Sequence, residues 1–205
     1  MIAVIDYGMG NLASIKKALE YAGGKPFLTS NPQDLERAER IVLPGVGAFA
    51  EGMSHLKESG MDVKLREAVL KGKKPLFGIC LGMQLLAKKS YEFGEYPGLG
   101  LIDAEVKKFD FYDTFPNLRV PHVGWNAVGF KIASPYFEGI KDNSDFYFVH
   151  SYHVVCREPR LVAAVSDYGG EFTAAIAKDN IFATQFHPEK SQQYGLKMLE
   201  NFVAL

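Results

Sequence analysis

A cysteine framed by two glycines carries the first hint of chemistry in this chain. Gly78-Ile79-Cys80-Leu81-Gly82 follows an apolar run from Pro75 to Ile79 and precedes a helix-like run. A Gly-x-nucleophile-x-Gly spacing makes a sharp strand-to-helix turn, here with cysteine as the nucleophile. Its glycines permit backbone angles that ordinary side chains obstruct, and a helix N-terminus favours thiolate over thiol. A small cysteine buried in a tight β–α turn would fit the same five residues. His187-Pro188-Glu189 tips the balance. A thiol nucleophile needs a base, and the base needs an orienting acceptor. Residues two apart in an extended segment leave the same face. Glu189 can then hold one imidazole nitrogen while the other meets Cys80. The expected triad is Cys80, His187 and Glu189.

Acyl transfer also needs two N–H groups aimed at a developing oxyanion. Leu81, directly after the nucleophile, can supply one. The loop Pro44-Gly45-Val46-Gly47-Ala48-Phe49 can supply a second, at Val46 or Gly47, although a plain β–α turn reads the same way. Gln84 lies one helical turn beyond Cys80 and Glu92 follows that helix. An amide and a carboxylate beside a thiol suit a substrate with an ammonium group and a polar side chain. Without the thiol, both would read as solvated surface. Ser151 and Tyr152 follow an apolar strand and can add edge contacts.

Three other groups carry weaker signals. Gly8-Met9-Gly10-Asn11-Leu12-Ala13 fits a dinucleotide-binding turn, but the acidic residue required after the second strand is missing at Thr29-Ser30-Asn31. His150 and His153 lack Cys or acidic companions at metal spacing, so no metal is expected. Trp125, the single Trp, sits in Pro121-His122-Val123-Gly124-Trp125-Asn126 and fits either a core position or an exposed anchor for another protein.

These residues must be positioned by regular elements. Short β-rich runs alternate with amphipathic helices in the first half, the pattern of a parallel sheet with helical crossovers. Strands are expected at 2–6, 25–29, 40–43 and 75–79, and helices at 11–22, 63–70 and 81–89, with a short helix opening at Asn31-Pro32. The second half is richer in strand, at 104–109, 146–155, 162–166, 173–178 and 181–185, before a closing helix at 194–205. The fold expected is a single three-layer α/β domain spanning residues 1–205. It is flavodoxin-like in its first half, with a mostly parallel central sheet and a β-rich C-terminal half. Sites in such sheets form beyond the carboxyl ends of the strands, where Asp6, the 44–47 loop and Cys80 would lie.

Composition narrows the function. With 23 basic and 24 acidic residues in 205, the net charge of -1 gives no bulk attraction to nucleic acid or anionic membrane. Two cysteines in a chain of this size suggest a reducing compartment, and no segment reaches the ~18 apolar residues of a membrane span. The cytoplasm is the default expectation.

Together these motifs resemble the class I, triad-type glutamine amidotransferases, through Gly78-Ile-Cys80-Leu-Gly82-Met-Gln84 and His187-Pro-Glu189. Within that family the likeness is closest to the glutaminase subunits of imidazole glycerol phosphate synthases. It rests on Asp6-Tyr-Gly-Met-Gly-Asn11-Leu, Leu43-Pro-Gly-Val-Gly-Ala-Phe49, Pro121-His-Val-Gly-Trp-Asn126 and Phe148-Val-His-Ser-Tyr152, and spans the whole chain. Lys88-Lys89 and Val123 are small departures from it. The resemblance implies a glutaminase without cofactor that releases glutamate and ammonia from L-glutamine. By it, Gly47, Gln84, Glu92, Ser151 and Tyr152 hold the substrate. Asn11, Trp125, Tyr147 and Lys190 face a (β/α)8-barrel cyclase of histidine biosynthesis, which receives the ammonia within a heterodimer. A paralogue supplying ammonia for amidation of a cell-surface sugar, an idle scaffold for a barrel partner, and a cysteine peptidase are the alternatives.

Overall fold

A computed structural model describes residues 1–111, 114–115 and 117–205. The chain begins with β1 (Ile2–Ile5), α1 (Leu12–Tyr21), β2 (Pro26–Thr29) and β3 (Arg40–Leu43). It continues through α2 (Phe49–Glu58), α3 (Met61–Leu70), β4 (Leu76–Ile79) and α4 (Leu81–Leu85). Two short strands, β5 (Lys89–Ser90) and β6 (Tyr96–Pro97), precede β7 (Ala104–Lys108), β8 (His122–Phe130), β9 (Ser144–His150) and β10 (Tyr152–Cys156). Finally come β11 (Val162–Asp167), β12 (Glu171–Lys178), β13 (Ile181–Thr184) and α5 (Gln192–Ala204).

The main sheet runs β2-β1-β3-β4-β13-β12-β11-β8-β9. Its first five strands are parallel, and the ladders from β13 to β9 are antiparallel. The parallel portion is thus the α/β half expected, and the β-rich second half extends the same sheet. A smaller sheet has the order β10-β7-β5-β6. Apolar side chains fill both faces of the main sheet. Ile15 and Leu19 of α1 join Met198, Leu199 and Phe202 of α5 on one side, with Phe77 and Phe182 between them. Met53 and Leu56 of α2, Leu65 of α3 and Leu85 of α4 form the core on the other. Among the described residues no helix is long and apolar enough to cross a membrane.

Local chemistry accounts for most boundaries. The Asn11 side chain accepts from Ser14 N at 3.4 Å and starts α1. Asn31 does the same for Gln33 at 3.2 Å, opening a 3-10 turn over Pro32–Glu36. The helix α4 is much shorter than the expected 81–89. The carbonyls of Leu85, Leu86 and Ala87 are taken by N–H groups of Leu99, Leu101, Ile102 and Gly100, so a neighbouring loop ends the helix. The strand expected over 146–155 is two strands in two sheets, broken at Ser151. Among the described residues, the short strands β5 and β6 were not foreseen, nor were two longer elements. The helix α2 directly follows the glycine loop, and β8 carries the single Trp.

Candidate functional site

Cys80 occupies the turn between β4 and α4, with φ 53° and ψ -109°. A non-glycine residue there is strained, and strain of this kind gathers at functional sites. The turn is possible because its neighbour is small: a Cβ on Gly82 would overlap the Leu43 carbonyl. Cys80 N donates to Thr184 O at 2.8 Å, which ties the elbow to the end of β13. The chain leaving β13 then delivers His187 to the same side of the sheet.

His187 is buried, and its Nδ1 lies 2.8 Å from Glu189 Oε1. The expected orienting pair is thus formed, with Pro188–Lys190 in a 3-10 turn rather than an extended segment. The backbone is anchored as well. His187 N donates to Tyr147 O at 2.9 Å, Ser191 Oγ donates to His187 O at 2.6 Å, and Tyr147 N donates to Ser191 Oγ at 3.0 Å. Burial is the largest influence on the ring and disfavours its charge. The neighbouring Cys80 sulfur and the Glu189 carboxylate outweigh burial and raise the His187 pKa. His187 Nε2 nevertheless has no hydrogen-bond partner. The sulfur therefore acts on the ring by proximity, and the Sγ–Nε2 hydrogen bond is not made in this arrangement. The thiol instead points toward Val149 O, 3.9 Å away.

A cavity of about 360 Å³ opens over Cys80, lined by Val46, Gly47, Leu81, Gln84, Glu92, Ser151 and Tyr152, together with Pro121, Val149 and His150. Every residue expected at the oxyanion hole or the substrate lies on this wall. Their present contacts differ from the simplest expectation. Leu81 N donates to Gly45 O at 3.3 Å, so a loop carbonyl occupies the expected oxyanion donor. Gly47 has φ +108° and faces the Met9 methyl, a backbone state few other residues tolerate. The Glu92 carboxylate accepts from Phe49 N at 2.6 Å, capping α2, whose N-cap residue Ala48 offers no side-chain acceptor. Gln84 Nε2 donates both to Tyr152 O at 3.0 Å and to Gln185 Oε1 at 3.1 Å.

The expected partner-facing residues also gather. In the β8–β9 ladder Trp125 stands opposite Tyr147, the rings edge-on at 5.9 Å, and Lys190 Nζ sits 5.7 Å over the Tyr147 ring. Trp125 is 47% exposed, which decides against the core position. Asn11 is exposed at the start of α1, which packs against the Pro188–Lys190 turn.

Two residues near the sulfur were missed. Tyr7 is buried, donates to Pro44 O at 2.8 Å, and has its pKa raised by burial and then by Cys80. Gln185 is fully buried with Nε2 3.7 Å from Cys80 Sγ. Its place two residues before His187 was the available signal. Among the described residues no group of three His, Cys, Asp or Glu is arranged to hold a metal ion. The arrangement can perform nucleophilic attack by a thiol on a small polar substrate, with a buried imidazole to move the proton.

Residues 3–205 match the family described as Glutamine amidotransferase class-I. The imidazole glycerol phosphate synthase subunit HisH 1 of Campylobacter jejuni is 52% identical over 205 residues, covering all of both chains. The subunit HisH 2 of Pseudomonas aeruginosa is 46% identical, again over all of both chains. In fold, the chain is similar to the structure of PurLQS from Thermotoga maritima, with a TM-score of 0.77 at 19% identity, covering 99% of this chain and 97% of the other.

Proposed function

This chain belongs to the class-I glutamine amidotransferases, and from that premise we propose that it hydrolyses L-glutamine and hands the ammonia to a (β/α)8-barrel cyclase. The observation carrying this reading is Cys80 at the base of a cavity lined by Gln84, Glu92, Ser151 and Tyr152, beside an imidazole held by Glu189 at 2.8 Å. The names of relatives at 46 and 52% identity over their full length support the partner.

In this reading Cys80 Sγ attacks the side-chain amide carbon of glutamine, and the carbonyl π electrons move to oxygen. The electrons return as the C–N bond breaks, and the His187 imidazolium protonates the leaving nitrogen, which departs as ammonia. A γ-glutamyl thioester remains. Neutral His187 then takes a proton from water, hydroxide adds to the thioester, and glutamate leaves as the sulfur recovers its electrons. Glu189 keeps Nδ1 occupied so that Nε2 faces the chemistry. Leu81 N–H and the Val46 and Gly47 N–H groups would stabilise the oxyanion once the Gly45 carbonyl releases Leu81. This makes activity depend on a signal that moves the 44–47 loop, and the cyclase with its ligand is the natural source.

Ammonia would leave past Asn11, Trp125, Tyr147 and Lys190, the surface assigned to the cyclase. The whole chain acts as one domain, and its unpaired cysteines suit the cytoplasm. Mixing the purified chain with the cyclase and its nucleotide ligand should raise glutamate release from glutamine by about 5–150-fold, the range that a coupling of about 1–3 kcal/mol implies. No rise with both proteins folded would overturn the partner assignment.

A further inference from the structure

Two chains of hydrogen bonds converge on one carbonyl, that of Tyr152, and their direction can be worked out from it. A carbonyl oxygen only accepts. Gln84 must therefore face it with its amino end, at 3.0 Å. The other N–H of that group meets Gln185, which must present its oxygen, at 3.1 Å. The amino end of Gln185 is then turned to Cys80 Sγ, at 3.7 Å.

From the other side His150 Nδ1 lies 2.9 Å from the same carbonyl and must carry the proton. In a neutral ring His150 Nε2 is then bare and accepts from His122 Nδ1 at 3.0 Å. His122 Nε2 is bare in turn and faces Asn126 Nδ2 at 3.5 Å, which also donates to Asp167 O at 2.7 Å. Burial holds both rings neutral, pulling His122 down to about 4 and His150 to about 3. With one tautomer at each ring and one orientation for each amide, every donor and acceptor is assigned. The bonds run from His122 and His150 inward to the Tyr152 carbonyl, and from Gln84 both to that carbonyl and through Gln185 to the sulfur.

We propose that Gln185 is a hydrogen-bond donor to the nucleophilic sulfur, that Gln84 and the Tyr152 carbonyl are positioning groups that keep its amino end toward Cys80, and that the His150–His122 pair holds that carbonyl in place. The proposal rests on Cys80 being the nucleophile. A thiolate is a stronger acceptor than a thiol, so an N–H aimed at it favours the anion before attack. It also fixes where Sγ sits while His187 exchanges its proton. The same network constrains how Gln84 can meet a substrate. With both N–H groups engaged inside the protein, it offers only Oε1 to a molecule in the cavity.

The test is the pH profile of Cys80 alkylation by iodoacetamide in the full chain. The rate follows the thiolate fraction. Cys156 is pushed up to about 11 by burial and can be replaced by Ser to leave one reporter thiol. His187 and Tyr7, the titratable groups acting on the sulfur, remain unchanged. Gln185→Glu, which exchanges the donor for a carboxylate, should move the inflection up by about one pH unit, or about tenfold in rate below it. Gln185→Met should move it the same way by less, and carries the test should the Glu variant not fold. His150→Phe should give a smaller upward shift. An unchanged inflection in a folded Gln185 variant overturns the proposal. Failure of the wild-type chain to hydrolyse glutamine with the cyclase would sink the functional reading while leaving this titration intact.

Discussion

Two buried histidine environments in this chain settle on different charge states, one protonated and one neutral. His187 is 2% exposed, while His122 and His150 are 3% and 6% exposed. Burial disfavours the imidazolium in all three. Of the three, His187 alone has a carboxylate at 2.8 Å and the Cys80 sulfur beside it, and these raise its pKa despite burial. His122 is stacked between the Tyr168 ring at 4.0 Å and the Phe148 ring at 4.9 Å, and His150 lies 5.1 Å from Phe109 and 5.2 Å from Phe172. Aromatic faces and a backbone carbonyl give no countercharge, so desolvation wins. Partners, more than depth, decide which histidine carries protons and which passes on an orientation.

The comparison breaks most visibly in turnover. Replacing His187 with Ala should lower glutamine hydrolysis by about 10²–10⁴-fold, the usual range for losing a general acid–base group. His122→Phe keeps the ring stack and should cost less than about tenfold, since it acts only through others. Equal losses in the two variants, measured with the cyclase present, would show that both sites handle protons.

Acid titration sharpens it next. The neutral ring of His122 contributes fully above the unfolded value of 6.5, and this contribution is lost as pH falls toward about 4. That span is worth on the order of 3 kcal/mol for His122 alone. His187 works in the opposite direction. Its raised pKa contributes fully below the unfolded value and is lost as pH rises through the folded one. Urea unfolding at pH 7 and pH 4.5 should therefore show a smaller drop for the His122→Phe, His150→Phe double variant than for the natural chain. Identical slopes would mean that the pair is not held neutral.

The smallest effect calibrates both regions from outside. Glu92 caps α2 through Phe49 N, and Glu92→Ala should cost about 1 kcal/mol of stability, as lost N-caps do. A calorimetric melt unchanged within error would show that the carboxylate serves the cavity alone.

The sequence was most legible where chemistry is local. The glycines around Cys80 and the His187-Pro188-Glu189 spacing are short-range signals, and the structure sets each in a tight turn at a strand end. Parallel strands alternating with helices were readable for the same reason. What escaped depends on distant contacts. Gln185 meets Gln84 across 101 positions, and no local pattern marks that pair. The occupied Leu81 N–H depends on how the 44–47 loop lies, which its glycines leave open. The break at Ser151 splits an apolar run that periodicity alone reads as one strand. Helix α2 has Phe49, Met53 and Leu56 at helical spacing, but it begins directly after a loop whose glycines drew the reading toward a turn.

The clamp on Tyr147 has an effect beyond the active site. As the last strand of the main sheet, β9 would ordinarily expose a row of bare backbone groups, a template for pairing with another chain. Instead Tyr147 gives its N–H to Ser191 and receives that of His187. The margin is sealed midway by the segment that carries the imidazole, which hinders edge-to-edge aggregation there. A variant that loosens the 187–191 turn, such as Ser191→Ala, would expose the sheet to self-association as well as disturb the base.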